Sequence, residues 1–330
     1  MRWGPVFGPA PFTLGHTVRI ASLLPSATEI AYAIGLGDDV VAVTHECDFP
    51  DEASSKTHVT RSLLAPELPS AEIDRAVVES TQDAHSIYEL DIETLVGLRP
   101  DLIITQDLCE VCAVPRSAVD EAVALLQPDA RVLSLDPNTL DEVLESIALV
   151  GEASGRASQA QRTVDTLRQR VDAVQRAVAP TTSRPRVFCC EWLDPIFCGG
   201  HWVPELARLA GGVDGIGQEA EPSFRVEWDI VLEYQPEVIV LMPCGFDAAQ
   251  AAGRIDELSR RPGWSDLPAV REGRVFAVNA SAYFSRPGPR LVDGLESLAR
   301  IMHPDAFEKP VPQDAVLRLA RPPVSFEPYS

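Results

Sequence analysis

After the apolar run Leu102-Ile103-Ile104 the chain reads TQDLCEVC, which sets Cys109 and Cys112 in a C-x-x-C pair. Thiols at that spacing suit a redox pair, half of a metal site, or the soft lining of a pocket. Similar residue types follow other strand-like runs. HECDFP (45–50) carries His45, Glu46 and Cys47, and CCEWLDPIFCGGHW (189–202) carries Trp192, Phe197, His201 and Trp202. PCGF (243–246) adds Cys244 and Phe246, and NASAYFSRPGPR (279–290) adds Tyr283, Phe284 and Arg286. Six of the seven cysteines are expected in four of these loops, with Cys189 or Cys190 turned inward according to strand register.

Three chemistries compete for this set. A thiol redox site at Cys109/Cys112 has a thioredoxin-like place after a strand, although Glu110-Val111 fills the middle of the pair. A zinc or iron site would draw on His45, Cys47, Cys109 and Cys112, whose types fit. A pocket for a large flat ligand is favoured by the aromatics. Trp192, Phe197, Trp202, Trp228, Phe246, Tyr283 and Phe284 fall in or near the same loops, yet aromatics make up only 6% of the chain. Walls of that kind, with few polar groups, hold large apolar ligands. Arg286 is a donor for an anionic or amide group. The plainer alternatives are core packing for each aromatic, burial for each thiol and simple solvation for the arginine. No G-x-S-x-G, phosphate loop or dinucleotide fingerprint is present, so binding is expected rather than catalysis.

Loops at the carboxyl ends of strands are where parallel α/β sheets bind ligands. The strands that would position them are RIASLL (19–24), VVAVT (40–44), LIIT (102–105), RVLSL (131–135), RVFCCEW (from 186), VIVLM (238–242) and RVFAV (274–278). Helical periodicity separates them, as in ATEIAYAIGL and in TLDEVLESIALVGEAS (139–154). This alternation predicts α/β architecture with mostly parallel sheets. Residues 151–178 read as one long amphipathic helix with a stripe through Val164, Leu167, Val171 and Val174. DIETLVGLRPDLIIT (91–105) and EWDIVLEYQPEVIVL (227–241) share a carboxylate, Glu93 or Asp229, seven residues before Pro100 or Pro236. The shared register predicts a duplicated lobe. The expected organisation is an irregular segment 1–17, a lobe 18–150, the linking helix 151–178, a second lobe 179–305 and a proline-rich tail 306–330 on the surface.

Composition narrows the function classes. The chain of 330 residues is 45% hydrophobic and carries a formal charge of −21, with a pI near 4.6. Such a surface repels phosphate backbones, so no nucleic-acid partner is expected. No apolar run reaches the length of a membrane span. The first residues lack the apolar core of a signal peptide, and no cysteine precedes Cys47. As written, a cytoplasmic place with reduced thiols is expected.

RIASLLPSATEIAYAIGLGDDVVAVTHECDFP, IETLVGLRPDLIIT, the EW-DP-F-GG-WVPEL pattern across 191–206 and SAYFSRPGPRLVDGLESLA (281–299) resemble the substrate-binding proteins of vitamin B12 and iron-chelate ABC transporters, over about residues 18–305. The resemblance implies two Rossmann-like lobes joined by one rigid helix, with modest closure about it and the ligand in the cleft between lobes. It implies a corrinoid (cobalamin or cobinamide) as bound ligand, no required cofactor and an ABC permease dimer as partner. His45, Glu46 and Cys47 match the segment that faces the corrin. Gln106 stands where the family has an aromatic contact. Phe197 and Arg286 match a phenylalanine and an arginine that touch the ligand, while the family's acid four residues before that arginine is Ala282 here. Glu93 and Asp229 match the carboxylates, one per lobe, offered to arginines of the transporter. The resemblance also implies a periplasmic or extracellular place if the start is misassigned. The gained cysteines leave haem, an iron chelate or a bare metal held by His45, Cys47, Cys109 and Cys112 as alternatives, and intracellular corrinoid handling as an alternative to uptake.

Overall fold

The computed structural model describes residues 18–63, 68–82, 87–106, 116–126, 130–320 and 325–329. The strands are β1 Ile20–Ser22, β2 Val40–Val43, β3 Thr57–His58, β4 Thr60–Ser62, β5 Tyr88–Leu90, β6 Leu102–Thr105 and β7 Arg131–Ser134 in the first half. In the second half they are β8 Val187–Leu193, β9 Ile196–Cys198, β10 Val238–Leu241, β11 Val275–Val278, β12 Val316–Ala320 and β13 Ser325–Pro328. The chain forms two compact units: Met1–Pro137 with Glu142–Thr166, and Asn138–Asp141 with Leu167–Ser330.

Unit 1 holds the sheet β3-β2-β1-β6-β7, parallel throughout. β1 and β6 are buried at every position, which is why they read as unbroken apolar runs rather than alternating ones. β4 and β5 pair antiparallel as a separate ribbon. In unit 2 the order is β13-β12-β11-β10-β8-β9, with a parallel centre β8-β10-β11 and antiparallel strands at both sides. β10 and β11 are fully buried. The tail corrects an expectation. Val316–Ala320 and Ser325–Pro328 extend the sheet as β12 and β13, where surface irregularity was expected from the prolines. β13 lies at the sheet edge, the place where a strand tolerates proline.

The predicted repeat is present down to its hydrogen bonds. β1 pairs with β6 in the register Ile20↔Leu102, and β8 with β10 in the matching register Val187↔Val238. Before each first strand an arginine forms a similar latch, with the carbonyl it reaches two residues before the proline in one unit and one residue before it in the other. The Arg19 N–H donates to Asp101 Oδ2 at 2.8 Å and its Nε to the Leu98 carbonyl at 2.9 Å. The Arg186 N–H donates to Glu237 Oε2 at 3.0 Å and its Nε to the Gln235 carbonyl at 2.9 Å. The guanidinium thereby occupies a carbonyl left over where the preceding helix ends. Arg99 (φ 48°) and Gln235 (φ 53°), each just before a proline, both turn left-handed there. Proline disfavours the α region for its predecessor, so the helices stop at that point.

Helix 140–154 ends at Gly155, whose φ of 74° ordinary residues rarely adopt. The linking helix therefore starts at Ala157 rather than 151 and runs 22 residues to Val178, about 33 Å at helical rise. Its residues up to Thr166 belong to unit 1, and those from Leu167 to unit 2. In unit 2 the Arg170 guanidinium binds Glu296 (Nε to Oε1, 3.0 Å) and Asp293 (Nη2 to Oδ1, 2.5 Å) on helix 291–302. These carboxylates raise the guanidinium pKa above its usual range, and the same contacts hold the Glu296 carboxyl below its own despite burial.

Candidate ligand-binding site

Each unit presents its loops by itself. In unit 1 the loop after β2 opens on Thr44, whose hydroxyl lies 3.2 Å from Cys47 Sγ. The Thr28 hydroxyl lies 3.1 Å from the same sulfur and donates to Ser22 Oγ at 2.8 Å. Cys47 is 2% exposed, so its thiol packs into the lobe instead of lining a surface. This corrects its place among the lining and metal-ligating candidates: two hydroxyls and the surrounding core already surround the sulfur. His45 and Glu46, by contrast, are partly exposed. The His45 backbone N–H donates to Thr60 Oγ1 at 3.0 Å, and Nδ1 lies 2.7 Å from the same oxygen. The Tyr88 ring sits 5.3 Å from the imidazole, and its hydroxyl donates to Glu46 Oε1 at 3.1 Å. Burial lowers the His45 pKa against the opposing pull of Glu46, which favours the neutral ring. Gln106 follows β6, partly buried. Cys109 and Cys112, and with them the redox pair and the four-residue metal site, lie outside the described residues. Among the described residues, no three His, Cys, Asp or Glu side chains gather as a metal would require.

In unit 2 the strand β8 runs on through Leu193 and turns into β9, longer than the sequence suggests. Cys189, Cys190 and Cys198 therefore lie in strands rather than loops, and all three are buried. Burial pushes their thiol pKa values up, to about 11 for Cys198, so they stay protonated and unreactive. What the hairpin does present is aromatic. Trp192 pairs across the ladder with Phe197, and the Trp192 ring meets Phe246 edge-on at 5.6 Å. The Ser281 N–H donates to the Phe246 carbonyl at 3.1 Å, joining the loop that carries Tyr283. Guanidiniums lie over this row: Arg225 over Phe197, Arg254 over Phe246 and Arg290 over Tyr283, each 5.7 Å from the ring centre. Arg286 is partly buried in the same loop, and Cys244 is partly buried after β10.

Trp202 and Phe284 are corrected. They are 5% and 3% exposed, and Trp202 Nε1 donates to the Phe284 carbonyl at 2.7 Å. They brace the site loops from within because the indole needs a partner when buried, and this carbonyl supplies it. His201 turns left-handed (φ 51°) and bonds Asn138 Oδ1 at 3.1 Å, with burial lowering its pKa. Thr60, Tyr88 and the three ring-covering arginines were not anticipated. Thr60, Tyr88 and Arg225 come from elements remote in sequence from the residues they meet, while Arg254 and Arg290 lie within eight residues of their rings and are arginines that spacing alone does not distinguish from solvated ones.

Glu93 lies in the first turn of helix 92–97, capped by Asp91, whose side chain accepts the Thr94 N–H at 2.9 Å. Asp229 lies in the first turn of helix 228–234. Both are exposed.

Two α/β units joined through one helix, each with candidate site side chains at the carboxyl ends of its parallel strands or on the hairpin that extends one of them, define a bilobal substrate-binding protein. The chain belongs to the family described as periplasmic binding protein, which it matches over residues 20–282. A vitamin B12-binding protein of Vibrio cholerae is 31% identical over 283 residues, 85% of this chain and 87% of its own. The crystal structure of the periplasmic vitamin B12 binding protein BtuF of V. cholerae superposes with a TM-score of 0.63 at 28% identity, covering 86% of this chain and 96% of that one. YvrC of Bacillus subtilis, an uncharacterized ABC transporter substrate-binding lipoprotein, is 28% identical over 300 residues, 88% of this chain and 82% of its own. The periplasmic heme-binding protein RhuT from Roseiflexus sp. RS-1, in apo form, superposes with a TM-score of 0.67, covering 88% of this chain and 100% of that one. At 22% identity RhuT supports the fold alone. No helix among the described residues is long and apolar enough to cross a membrane.

Proposed function

We propose that the protein binds a corrinoid, cobalamin or cobinamide, or a related metal chelate on the strand-end loops of its units, without catalysis, for ABC-type uptake. The observation that carries this reading is the contiguous row Phe197–Trp192–Phe246 with its covering arginines, a wall suited to a broad, largely apolar ligand with polar substituents at its edge. The vitamin B12-binding protein of V. cholerae points the same way. Phe197, Trp192, Phe246, Tyr283, Arg286, Cys244, His45, Glu46 and Gln106 remain the proposed contacts. Glu93 and Asp229 are proposed to dock the transporter permease dimer. The family favours a place outside the cytoplasm over the cytoplasmic one expected from the N-terminal residues.

A second reading is favoured by the guanidiniums themselves. Two cations over that aromatic row and a third over Tyr283, in a chain of net charge −21, suit a ligand with carboxylates at its rim, such as a haem or an anionic iron chelate. Calorimetric titration with cyanocobalamin, cobinamide and hemin, beside the absorbance spectrum of the protein as purified, tests both. Micromolar or tighter binding of a corrinoid is expected. Saturable binding of hemin alone would move the assignment to the second reading, and binding of none would overturn both.

A further inference from the structure

The His45 ring is held at one nitrogen and open at the other. Thr60 Oγ1 receives the His45 backbone N–H at 3.0 Å and lies 2.7 Å from Nδ1, so one hydroxyl fixes both the chain and the ring. Tyr88 bounds the ring on one side at 5.3 Å with the planes tilted by 50°. Thr60 and Tyr88 come from β4 and β5, so the small antiparallel ribbon serves as the frame for this imidazole. Nε2 makes no hydrogen bond among the described residues. It is not enclosed either: the buried side-chain atoms without a partner there are Tyr32 Oη, Thr105 Oγ1, Asp214 Oδ2 and Glu257 Oε2.

In the tautomer whose Nδ1–H donates to Thr60, Nε2 carries the lone pair, and a metal at Nε2 selects that tautomer while the outer partner sets the ring's orientation. We infer that His45 Nε2 is an axial ligand to the metal of the bound chelate. The inference rests on the chelate-binding reading above and narrows the ligand class to planar macrocycles with an exchangeable axial position. That class covers an incomplete corrinoid such as cobinamide, and a haem, in preference to cyanocobalamin with both axial positions filled. A nitrogen–metal bond forms, a metal-bound water leaves, and the metal keeps its oxidation state. Cys47 does not compete, because its sulfur lies inward between Thr28 and Thr44.

Aquacobinamide and hemin are the probes, followed by visible absorbance and by calorimetry with the wild type, His45→Gly and Thr60→Val. The wild type is expected to bind one probe with a band shift of nitrogen ligation. The probe that binds tells corrin from porphyrin. In His45→Gly the shift should vanish and added imidazole should restore it, which also shows that the variant is folded. Thr60→Val should keep the shift with roughly 10- to 100-fold weaker binding. Binding by the wild type with unshifted bands, or a shift that persists in His45→Gly, would overturn the ligation and leave chelate binding standing. If neither probe binds the wild type by calorimetry, the chelate-binding reading and the ligation fall together.

Discussion

Asp214 illustrates how one side chain ties pH to stability in unit 2. Its Oδ1 accepts the N–H groups of Ile216 (3.1 Å) and Gly217 (2.9 Å), while Oδ2 is enclosed. Burial raises its pKa to about 6, against the lowering effect of those two donors and of the Cys189 thiol. The folded value lies above the unfolded one of 3.8, so its stabilising contribution is complete below pH 3.8 and is lost as pH rises through about 6. Asp214→Asn keeps an acceptor at Oδ1 and removes the titration. Relative to this variant, the wild type is expected to lose on the order of 2–3 kcal/mol between pH 4 and 7, read from urea midpoints at each pH. A difference that does not change with pH would refute the assignment. At this scale the sequence was least informative. It indicated that His45, Glu46 and Cys47 share a loop, but the inward turn of Cys47 depends on Thr28, nineteen residues away. Trp202 and Phe284 looked like pocket walls because type and spacing do not distinguish an aromatic that lines a surface from one that braces it.

At the scale of elements, helices 92–97 and 228–234 are equivalent in the repeat, each with an exposed carboxylate in its first turn and a left-handed exit before a proline. An acid in that position is also favoured by the helix dipole, so its presence alone does not require a partner. Docking and dipole make different predictions. Glu93→Lys combined with Asp229→Lys should leave ligand affinity within about twofold, because neither residue belongs to the proposed contacts, and should abolish ligand-stimulated ATP hydrolysis by the reconstituted transporter. Unchanged stimulation would leave only the dipole role. Elements were legible where periodicity and punctuation agreed: β6 begins and ends where the apolar run does. Two were missed for physical reasons. The 151–178 helix was read through Gly155, because a glycine at a helix end resembles one inside a helix until its φ is known. β12 and β13 were hidden because an edge strand admits the prolines that usually argue against a sheet.

Over the whole molecule, the formal charge of −21 sets a background of self-repulsion. Screening should relieve it, so the thermal midpoint is expected to rise when NaCl goes from about 10 mM to about 300 mM. A midpoint that falls would mean that local ion pairs such as Arg170 with Glu296 and Asp293 outweigh the net repulsion. Fold class was readable at this scale because it depends on many residues at once, through alternating strand and helix runs and the fifteen-residue echo. Ligand identity depends on a few side chains that different elements bring together, and one chain's sequence does not show which of them meet.

The arginine latch, present once before β1 and again before β8, separates the frame of each unit from its binding surface. Both units carry a like fastening and register while their strand ends differ, one with a hydroxyl-held imidazole and the other with arginine-covered rings. Substitutions confined to the strand ends, with Arg19, Asp101, Arg186 and Glu237 left as they are, should therefore change what is bound without unfastening the strands.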